Sequence, residues 1–475
     1  MKKCLVTLVI ILICQVSFAQ EFNFHLSEVI LLAKDNSLAA QQARSRKKNK
    51  YWDYRTFTPR FKPKISLTTT LPEYSRTKAY DIQNDTLSST VTQNINTFSK
   101  LNIYQEIPQT GGSIYMSTSL NRYQLIESAP SFAGDVFEFG FNQRLFGFNA
   151  MKWDQKIIPM KYQEALKKYA EELEYVSYSS TQLFFNLLIS QINLDIAGKN
   201  YRSNQLIYAQ KKDELNEDEL LQMEINVMTA QRDYATAKLE SEKAMITLNN
   251  YLGLPKNDQI TLYVPDEIPN FSVPPEEAIT QAKRNREKYL AFTRRRLEAE
   301  RNVKQARADV RPNINLGASV RFYNNAEHVD DMYYAPDAFQ KVNLSLTIPI
   351  VDWGERKAKL QRAISSQELT ESSIKQEELD FTQQVYILAK QIPILRTKVR
   401  ISKKTEERAE RRFQVAKEQY LNSEISVTDW NFAQNSKDVA KRNYLYALKE
   451  FWVAYYQLRM LTLYDFERNE KIAAS

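Results

Sequence analysis

Six stretches of the chain alternate between apolar and polar residues, which is the pattern of a β-strand with one apolar face. The clearest spans 313–322, where every second residue is apolar, and 341–350 repeats the pattern. Each of these two runs is about ten residues long, the length at which a tilted strand crosses a bilayer. A half-buried sheet in a soluble protein would alternate in the same way, so the alternation alone leaves both interpretations open.

The other four runs lie in the first half of the chain, at about 64–75, 97–107, 112–125 and 135–146. The tetrapeptide Gln109-Thr110-Gly111-Gly112 predicts a tight turn between the second and third of these. The segments 76–96 and 126–134 are longer and polar, and we expect them to be loops. Short turns at one end of a sheet and long loops at the other are typical of outer-membrane barrels.

Long segments without helix breakers follow the strands in each half. One spans about 152–212 and the other about 353–421, interrupted only by an isolated Gly or Pro in mid-helix. At 1.5 Å per residue, such a helix is about 90 Å long. Near the C-terminus, Ala433, Ala440, Ala447 and Ala454 recur every seventh residue, which predicts a close-packed coiled-coil seam.

The two halves of the chain share one plan. The segment Ala33–Asn36 is matched by Ala282–Asn285, and thirty residues after each Ala comes Pro63 in one half and Pro312 in the other. Internal repeats of this kind fix the architecture. Each half therefore predicts a first helix (about 26–58 and 275–309), strands, a long helix, a turn and a further helix. The first half carries about 44 extra residues, which we expect to form an added hairpin.

These patterns predict three segments. Residues 1–19 form a signal peptide, 20–255 a first repeat and 256–475 a second repeat. The first repeat holds strands at about 64–146, a long helix at about 152–212 and a tip turn at about 213–219. The second repeat holds strands at about 312–351, a long helix at about 353–421 and a tip turn at about 422–429.

The N-terminus indicates export. Two lysines precede an apolar run from Leu5 to Ile13, and Ser17-Phe18-Ala19 supplies the small residues at which a signal peptidase cuts. Cleavage after Ala19 would remove Cys4 and Cys14, the only two cysteines. The exported chain would then have no disulfide framework.

The composition argues against several classes of function. The net charge is +8, but charges of both signs are interspersed as on solvated helix faces, so an exported chain is not expected to bind nucleic acid. Two His and two Cys are too few for a metal site, and no Gly-rich phosphate-binding motif occurs. We therefore expect no cofactor and no enzymatic activity. An exported hydrolase with a carboxylate pair, using for example Glu73 or Asp81, is an alternative that the helical content disfavours.

A signal peptide, two helix–strand–strand–helix repeats and long helices with an alanine seam together resemble the TolC-like outer-membrane efflux proteins (the outer-membrane factor family). The best local match is Tyr420–Trp430, in which Tyr420 and Asp429 occupy the family's positions and Ser423 stands where the family has Gly. The first repeat places Asp213 in that slot, followed by Glu219. The resemblance covers nearly all of the chain after the signal peptide.

The resemblance implies a mostly α protein with a membrane β-barrel portion. Three chains would pool their strands into one β-barrel in the outer membrane, with a trimeric α-helical barrel extending into the periplasm. The expected partners are two further copies, outer-membrane lipid, a periplasmic adaptor (membrane fusion) protein and an inner-membrane ABC or proton-driven pump. The implied function is passive conduction in a tripartite efflux or type I secretion system. The alternative is a periplasmic coiled-coil adaptor or structural protein without a membrane barrel.

The resemblance also implies that the two tip turns close the tunnel and meet the adaptor. Docking residues are then expected at Asp213, Leu215, Ser423 and Ile425. The expected entrance residues are Asp429, Phe432 and Glu219, and three symmetry-related copies of Asp429 would form a ring that attracts cations. A competing interpretation makes Asp429 the N-cap of a helix, a position at which Asp is favoured.

Overall fold

The computed structural model describes residues 21–83, 86–126, 128–212, 217–256, 258–265, 267–422 and 424–472. The predicted signal peptide lies outside these ranges. Among the described residues, no helix combines the length and the apolar composition that crossing a membrane requires. The described helices are α1 (Leu26–Asn36), α2 (Leu38–Phe57), α3 (Ala150–Lys211), α4 (Glu217–Leu252), α5 (Pro275–Asn285), α6 (Glu287–Val310), α7 (Glu355–Leu421) and α8 (Val427–Thr462).

Each half begins with two helices where the sequence predicted one. The breaks fall at Ser37 and Arg286, whose backbones are extended, with ψ near 145° and 148°. These positions are 249 residues apart, the offset of the sequence repeat. Arg286 and the backbone N–H of Glu287 both donate to the buried carboxylate of Glu171, at 2.8 Å (Nη2) and 3.0 Å. The break therefore leaves the backbone N–H of Glu287 without a partner within its own helix, and the carboxylate of Glu171 on α3 accepts its hydrogen bond.

The long helices agree closely with the predicted segments. Helix α3 has 62 residues and α7 has 67, against predictions of 152–212 and 353–421. Pro159 and Pro393 lie inside them without ending either helix. The alanine seam of α8 is buried at all four positions, between 0% and 6% exposed, which confirms that this face packs closely against other helices.

The six long strands form one antiparallel sheet. In the order in which they pair, they are β2 (Lys64–Gln83), β3 (Thr86–Ile107), β4 (Gly112–Leu125), β5 (Ser131–Leu145), β7 (Asn313–Ala326) and β8 (Asp337–Thr347). The short strands β1 (Glu21–Phe24) and β6 (Gln259–Leu262) pair in parallel, and β9 (Tyr464–Asp465) pairs with β10 (Glu470–Lys471). The predicted extra hairpin is part of the main sheet, and its turn contains Gly111 at φ 75°.

The segment 76–96, which we expected to be a loop, is instead strand over its described residues. Strands β2 and β3 continue to pair from Glu73–Asn96 up to Gln83–Thr86. The sequence there lacks an apolar alternation, but it is rich in Thr, Ser and Tyr, which favour strands. Pro72 falls at the register shift between Thr70 and Glu73 on an edge strand, where a missing N–H is tolerated.

The chain divides into two compact units. The helical unit comprises the described parts of 1–48, 164–289 and 377–475, and the sheet unit comprises 49–163 and 290–376. Apolar side chains of α3 and α8, including Phe184, Phe185, Leu448 and Phe451, form the main core of the helical unit. Two buried acids of α3 lie beside it: Glu171 pairs with Arg286, and Glu174 pairs with Lys34 (2.7 Å) and Arg459 (3.1 Å). Paired in this way, the two carboxylates can remain charged when buried.

Candidate functional site

A second, smaller apolar cluster lies where the long helices reverse direction. It joins the ends of both helical hairpins of the chain: α3 and α4 in one, α7 and α8 in the other. We call it the tip cluster, and its buried members are Ile207, Met223, Tyr420, Val427 and Trp430. Because residues from all four helices contribute, the tips of the two repeats form a single packed group.

Trp430 is the centre of the tip cluster. Its side chain is fully buried and stacks on the ring of Tyr420, with centroids 5.5 Å apart and planes 20° from parallel. Burial raises the pKa of Tyr420, and the negative charge of Glu219 raises it further. The predicted entrance residue Glu219, on the first turn of α4, therefore faces a residue at the end of α7.

Asp429 is exposed on the first turn of α8, as an entrance residue would be. The competing interpretation of Asp429 as the N-cap is wrong in detail. The N-cap is Ser426, and Asp429 occupies the third helical position of a capping box. The Asp429 backbone N–H donates to Ser426 Oγ at 3.2 Å, and the Ser426 backbone N–H donates to the Asp429 carboxylate at 3.4 Å. A capping box satisfies two otherwise unpaired donors at a helix start, so Asp429 has a local structural role beside any role of its charge.

Phe432 is also exposed, and it carries a cation on its ring. The guanidinium of Arg412 lies 5.1 Å from the Phe432 centroid, and the ammonium of Lys437 lies 4.0 Å from the ring of Phe413. Both contacts link α7 to α8 near the tip. The sequence alone does not reveal these cations, because helical spacing within one segment does not show which side chain a second helix presents.

The predicted docking residues are only partly accounted for. Ile425 is half-buried and packs against the tip cluster. Asp213, Leu215 and Ser423 lie outside the described residues. The tip cluster itself was not predicted, although Tyr420 and Trp430 were part of the quoted motif. Both residues lie close to the tip turn, one on each side of it, and this placement was the signal that could have identified them as packing partners.

A polar layer separates the tip cluster from the main core. Asn204, Gln434 and Asp438 are each at least nine-tenths buried, and they line a cavity of about 270 Å³ between the helices. Asn200 Nδ2 donates to Asp438 Oδ2 at 2.6 Å, and Asn204 Nδ2 donates to the carbonyl oxygen of Asn226 at 3.3 Å. Buried polar groups stabilise a helix bundle less than apolar ones would. The two apolar clusters are therefore distinct parts of the helical unit.

In the sheet unit, the two faces of the sheet differ in chemistry. Paired residues such as Leu316 and Leu344, or Ala318 and Val342, share a face that is apolar across the strands. Leu344 is 66% exposed and Leu67, on β2, is 68% exposed. An exposed apolar face of this extent needs an apolar environment or a partner.

The opposite face is polar, and several of its charges are paired. Glu138 accepts hydrogen bonds from Tyr115 (3.1 Å) and Ser117 (3.2 Å), and Lys100 lies 3.6 Å from it. On the same face, Arg321 pairs with Asp135 at 3.4 Å. One apolar face and one charged, hydrogen-bonded face is what a wall between lipid and water requires.

Comparison with known proteins assigns this architecture. Residues 278–462 match the family model described as outer membrane efflux protein. The Campylobacter jejuni CmeC outer membrane channel is 16% identical with a TM-score of 0.66, covering 94% of this chain and 87% of that chain. The open state of the Neisseria gonorrhoeae MtrE outer membrane channel is 14% identical with a TM-score of 0.62, covering 94% of this chain and 91% of that chain.

A third solved structure, the outer membrane protein VceC from Vibrio cholerae, is 11% identical with a TM-score of 0.61, covering 94% of this chain and 96% of that chain. A comparison with curated protein sequences gave no match. The predicted resemblance to TolC-like outer-membrane efflux proteins and the predicted fold class are confirmed by the family match and the shared fold. The predicted outer-membrane location is confirmed at the level of the matched family, whose model is described as outer membrane efflux protein.

Proposed function

We propose that this protein, with an outer membrane efflux domain over residues 278–462, is the outer-membrane channel of a tripartite efflux or type I secretion system. Three copies form the conduit, and substrates delivered by a periplasmic adaptor and an inner-membrane pump pass through it passively. The observation that carries this proposal is the sheet, with one exposed apolar face and one polar face. A periplasmic adaptor without a membrane portion would have no use for such an apolar face.

The edges of the sheet favour assembly with further copies. Within the described part of the chain, β2 pairs only with β3 and β8 only with β7. Unpaired backbone groups of this kind are not tolerated in hydrocarbon. Because six strands alternate in direction, β8 of one copy would run antiparallel to β2 of the next. Three sheets could therefore close into a ring with every neighbouring pair antiparallel.

An exposed stripe on α7 favours the same assembly. Ile387, Ile394 and Ile401 recur every seven residues and are 45%, 67% and 58% exposed. A heptad series of exposed isoleucines is a coiled-coil seam that lacks its partner. We assign that partner to a helix of the neighbouring copy.

The proposed pairing of edges can be tested by disulfide trapping. In one chain, Leu67 on β2 and Leu344 on β8 stand on opposite edges of the sheet with four strands between them, so roughly 24 Å separates them at about 4.8 Å per strand. The double variant Leu67→Cys/Leu344→Cys, scanned with Cys at residue 65 or 69 for register, should give covalent trimers on oxidation in membranes. A second double variant, Leu316→Cys/Leu344→Cys, pairs neighbouring strands and should give only monomers. Failure of every edge pair to cross-link copies would refute the assembly.

The helical seam has its own test. Ile394→Asp/Ile401→Asp places charges in the proposed interface and should convert trimers into monomers in mild detergent. Lys403 is exposed about 200° around the helix from Ile401, so Lys403→Asp is the matched control and should leave the trimer intact. If the isoleucine variant remains trimeric in native mass measurements, the stripe is not the seam between copies.

The tip is proposed as the periplasmic entrance and the docking end for the adaptor, with Asp213, Leu215, Ser423 and Ile425 near the contact and Glu219 and Phe432 beside the entrance. Two substitutions separate the charge of Asp429 from its capping role. Asp429→Asn removes the charge but retains a hydrogen-bonding side chain, and it should reduce cation selectivity in single-channel recordings. Ser426→Ala removes the cap, and it should cost about 1 kcal/mol of stability with unchanged selectivity. Equal selectivity changes in both variants would refute the charged ring.

A further inference from the structure

A basic cleft lies at the base of the sheet, inside the sheet unit. It has a volume of about 910 Å³ and is lined by the end of α6, the start of α7 and the adjoining ends of the strands. Its strand residues include Asn313 and Thr347, which are register partners on the polar face of the sheet. Arg144 also belongs to that face, and its Nε donates to Asn313 Oδ1 at 2.8 Å. The cleft therefore opens on the polar side.

The charge of the cleft is strongly one-sided. Among the described residues, five cationic side chains and one carboxylate, that of Asp309, line it. The cations are Arg144, Arg311, Arg356, Lys359 and Arg362. Three of them have acidic partners: Arg144 lies 3.9 Å from Asp309, Arg356 lies 3.8 Å from Asp352, and Lys359 pairs with Glu355.

Arg311 and Arg362 are the uncompensated charges of the cleft. Both are exposed, and neither has an ion-pair partner among the residues that the structure describes. Arg311 directly follows the end of α6 and Arg362 lies on α7, and the guanidinium donors of both remain available. Arginine presents planar pairs of N–H donors that match carboxylate and phosphate oxygens.

We propose that this cleft binds anionic groups, carboxylate or phosphate, of solutes in transit and makes the conduit attract anions at the base of the sheet. The inference rests on the proposed function, because it takes the polar face of the sheet as the wall of the conduit. Three copies would contribute six uncompensated arginines around one passage. A ring of Arg or Lys side chains selects for anions in a pore, as a ring of carboxylates does for cations. The cleft and the tip therefore bias the conduit in opposite directions.

The test is a reversal-potential measurement on the purified full-length channel in planar bilayers with a KCl gradient. Arg311→Glu/Arg362→Glu should lower the chloride-to-potassium permeability ratio by roughly threefold to tenfold, because the electrostatic potential at the cleft changes from positive to negative. Lys357 directly follows the cleft residue Arg356 on α7 but lies about 100° or more around the helix from Arg356, Lys359 and Arg362. It is exposed and has no ion-pair partner in the described part of the chain. Lys357→Glu is therefore the matched control and should leave the ratio unchanged.

A second measurement addresses the binding of anions directly. Inorganic pyrophosphate added to the wild-type channel should reduce the chloride current, and the block should be lost in the milder variant Arg311→Gln/Arg362→Gln. An unchanged ratio in the Glu variant with persistent block in the Gln variant would overturn the proposal. So would an equal change in the Lys357 control, because the effect would then be general to surface charge.

The outcomes also separate this inference from the proposed function. If wild-type protein forms no conducting trimer, the proposed function fails and the inference with it. If it conducts and responds to Asp429→Asn but not to the arginine substitutions, the conduit stands and the anion site is refuted.

Discussion

Substitution of Trp430 by Ala should open the tip without unfolding the rest of the helical unit. Trp430 is fully buried and stacks on Tyr420, so its removal leaves a large cavity among the ends of four helices. The polar layer around Asn204, Gln434 and Asp438 lies between this cluster and the main core. Continuous apolar contacts would make the two clusters unfold together, but here the polar layer interrupts those contacts.

The magnitude follows from the size of the cluster. Truncating a buried Trp to Ala costs about 3–5 kcal/mol. The tip cluster has five buried apolar residues, which at about 1.5–3 kcal/mol each contribute at most roughly 7–15 kcal/mol. One substitution therefore removes about a third of the apolar stabilisation of the tip, and the main core keeps all of its own.

Hydrogen exchange read by mass spectrometry distinguishes local from global opening. Amides near Tyr420 and Val427 should lose protection by roughly 100-fold or more, since each 1.4 kcal/mol is a factor of ten, and amides near Phe184 and Phe451 should keep theirs. Trp430→Phe fills most of the site and should restore much of the tip protection. The reasoning is refuted if protection falls equally in the main core, because the two clusters would then open as one unit.

Two further predictions concern the buried charges of the helical unit. Arg459→Met leaves the buried carboxylate of Glu174 with one partner fewer, so it should lower the free energy of unfolding in denaturant by about 3–5 kcal/mol. Lys398→Met removes an exposed ion pair and should lower it by less than about 1 kcal/mol. Similar losses of stability in the two variants would contradict this prediction. Burial, with the nearby charge of Glu171, raises the pKa of Glu287 above its ordinary 4.5, so the folded state binds this proton more tightly than the unfolded state does and the ionised group opposes folding. Glu287→Gln should therefore stabilise the protein at pH 7, with the gain disappearing as the pH falls to about 4.5 and below; a gain that is constant with pH would argue against it.

The features that the sequence predicted are those encoded within one segment. The repeat register, the bounds of α3 and α7 and the alanine seam all depend on spacing along a single stretch of chain. The turn at Gly111 was predictable because a positive φ favours Gly at that position. The strand extension over 76–96 was not, since polar residues on both faces remove the alternation by which a strand is recognised.

The contacts at the candidate sites could not be predicted, because each joins segments that are distant in sequence. Glu219 and Tyr420 lie on different repeats, and so do the members of the polar layer. The basic cleft combines Arg144 with residues of α6 and α7 more than 150 positions later. Charges that appeared interspersed along the chain are thus sorted by the fold into a one-sided cluster.

The internal offsets show where the two repeats diverged. The helix breaks at Ser37 and Arg286 are 249 residues apart, whereas the starts of α3 at Ala150 and α7 at Glu355 are 205 apart. The difference lies wholly between these points, in the segment that holds β2 to β5. The tips preserve nearly the same spacing, since α4 begins at Glu217 and α8 at Val427. The additional strands therefore widen the sheet and leave the helices of the two repeats in matching register, so the sheet can change in width without altering the packing at the tip.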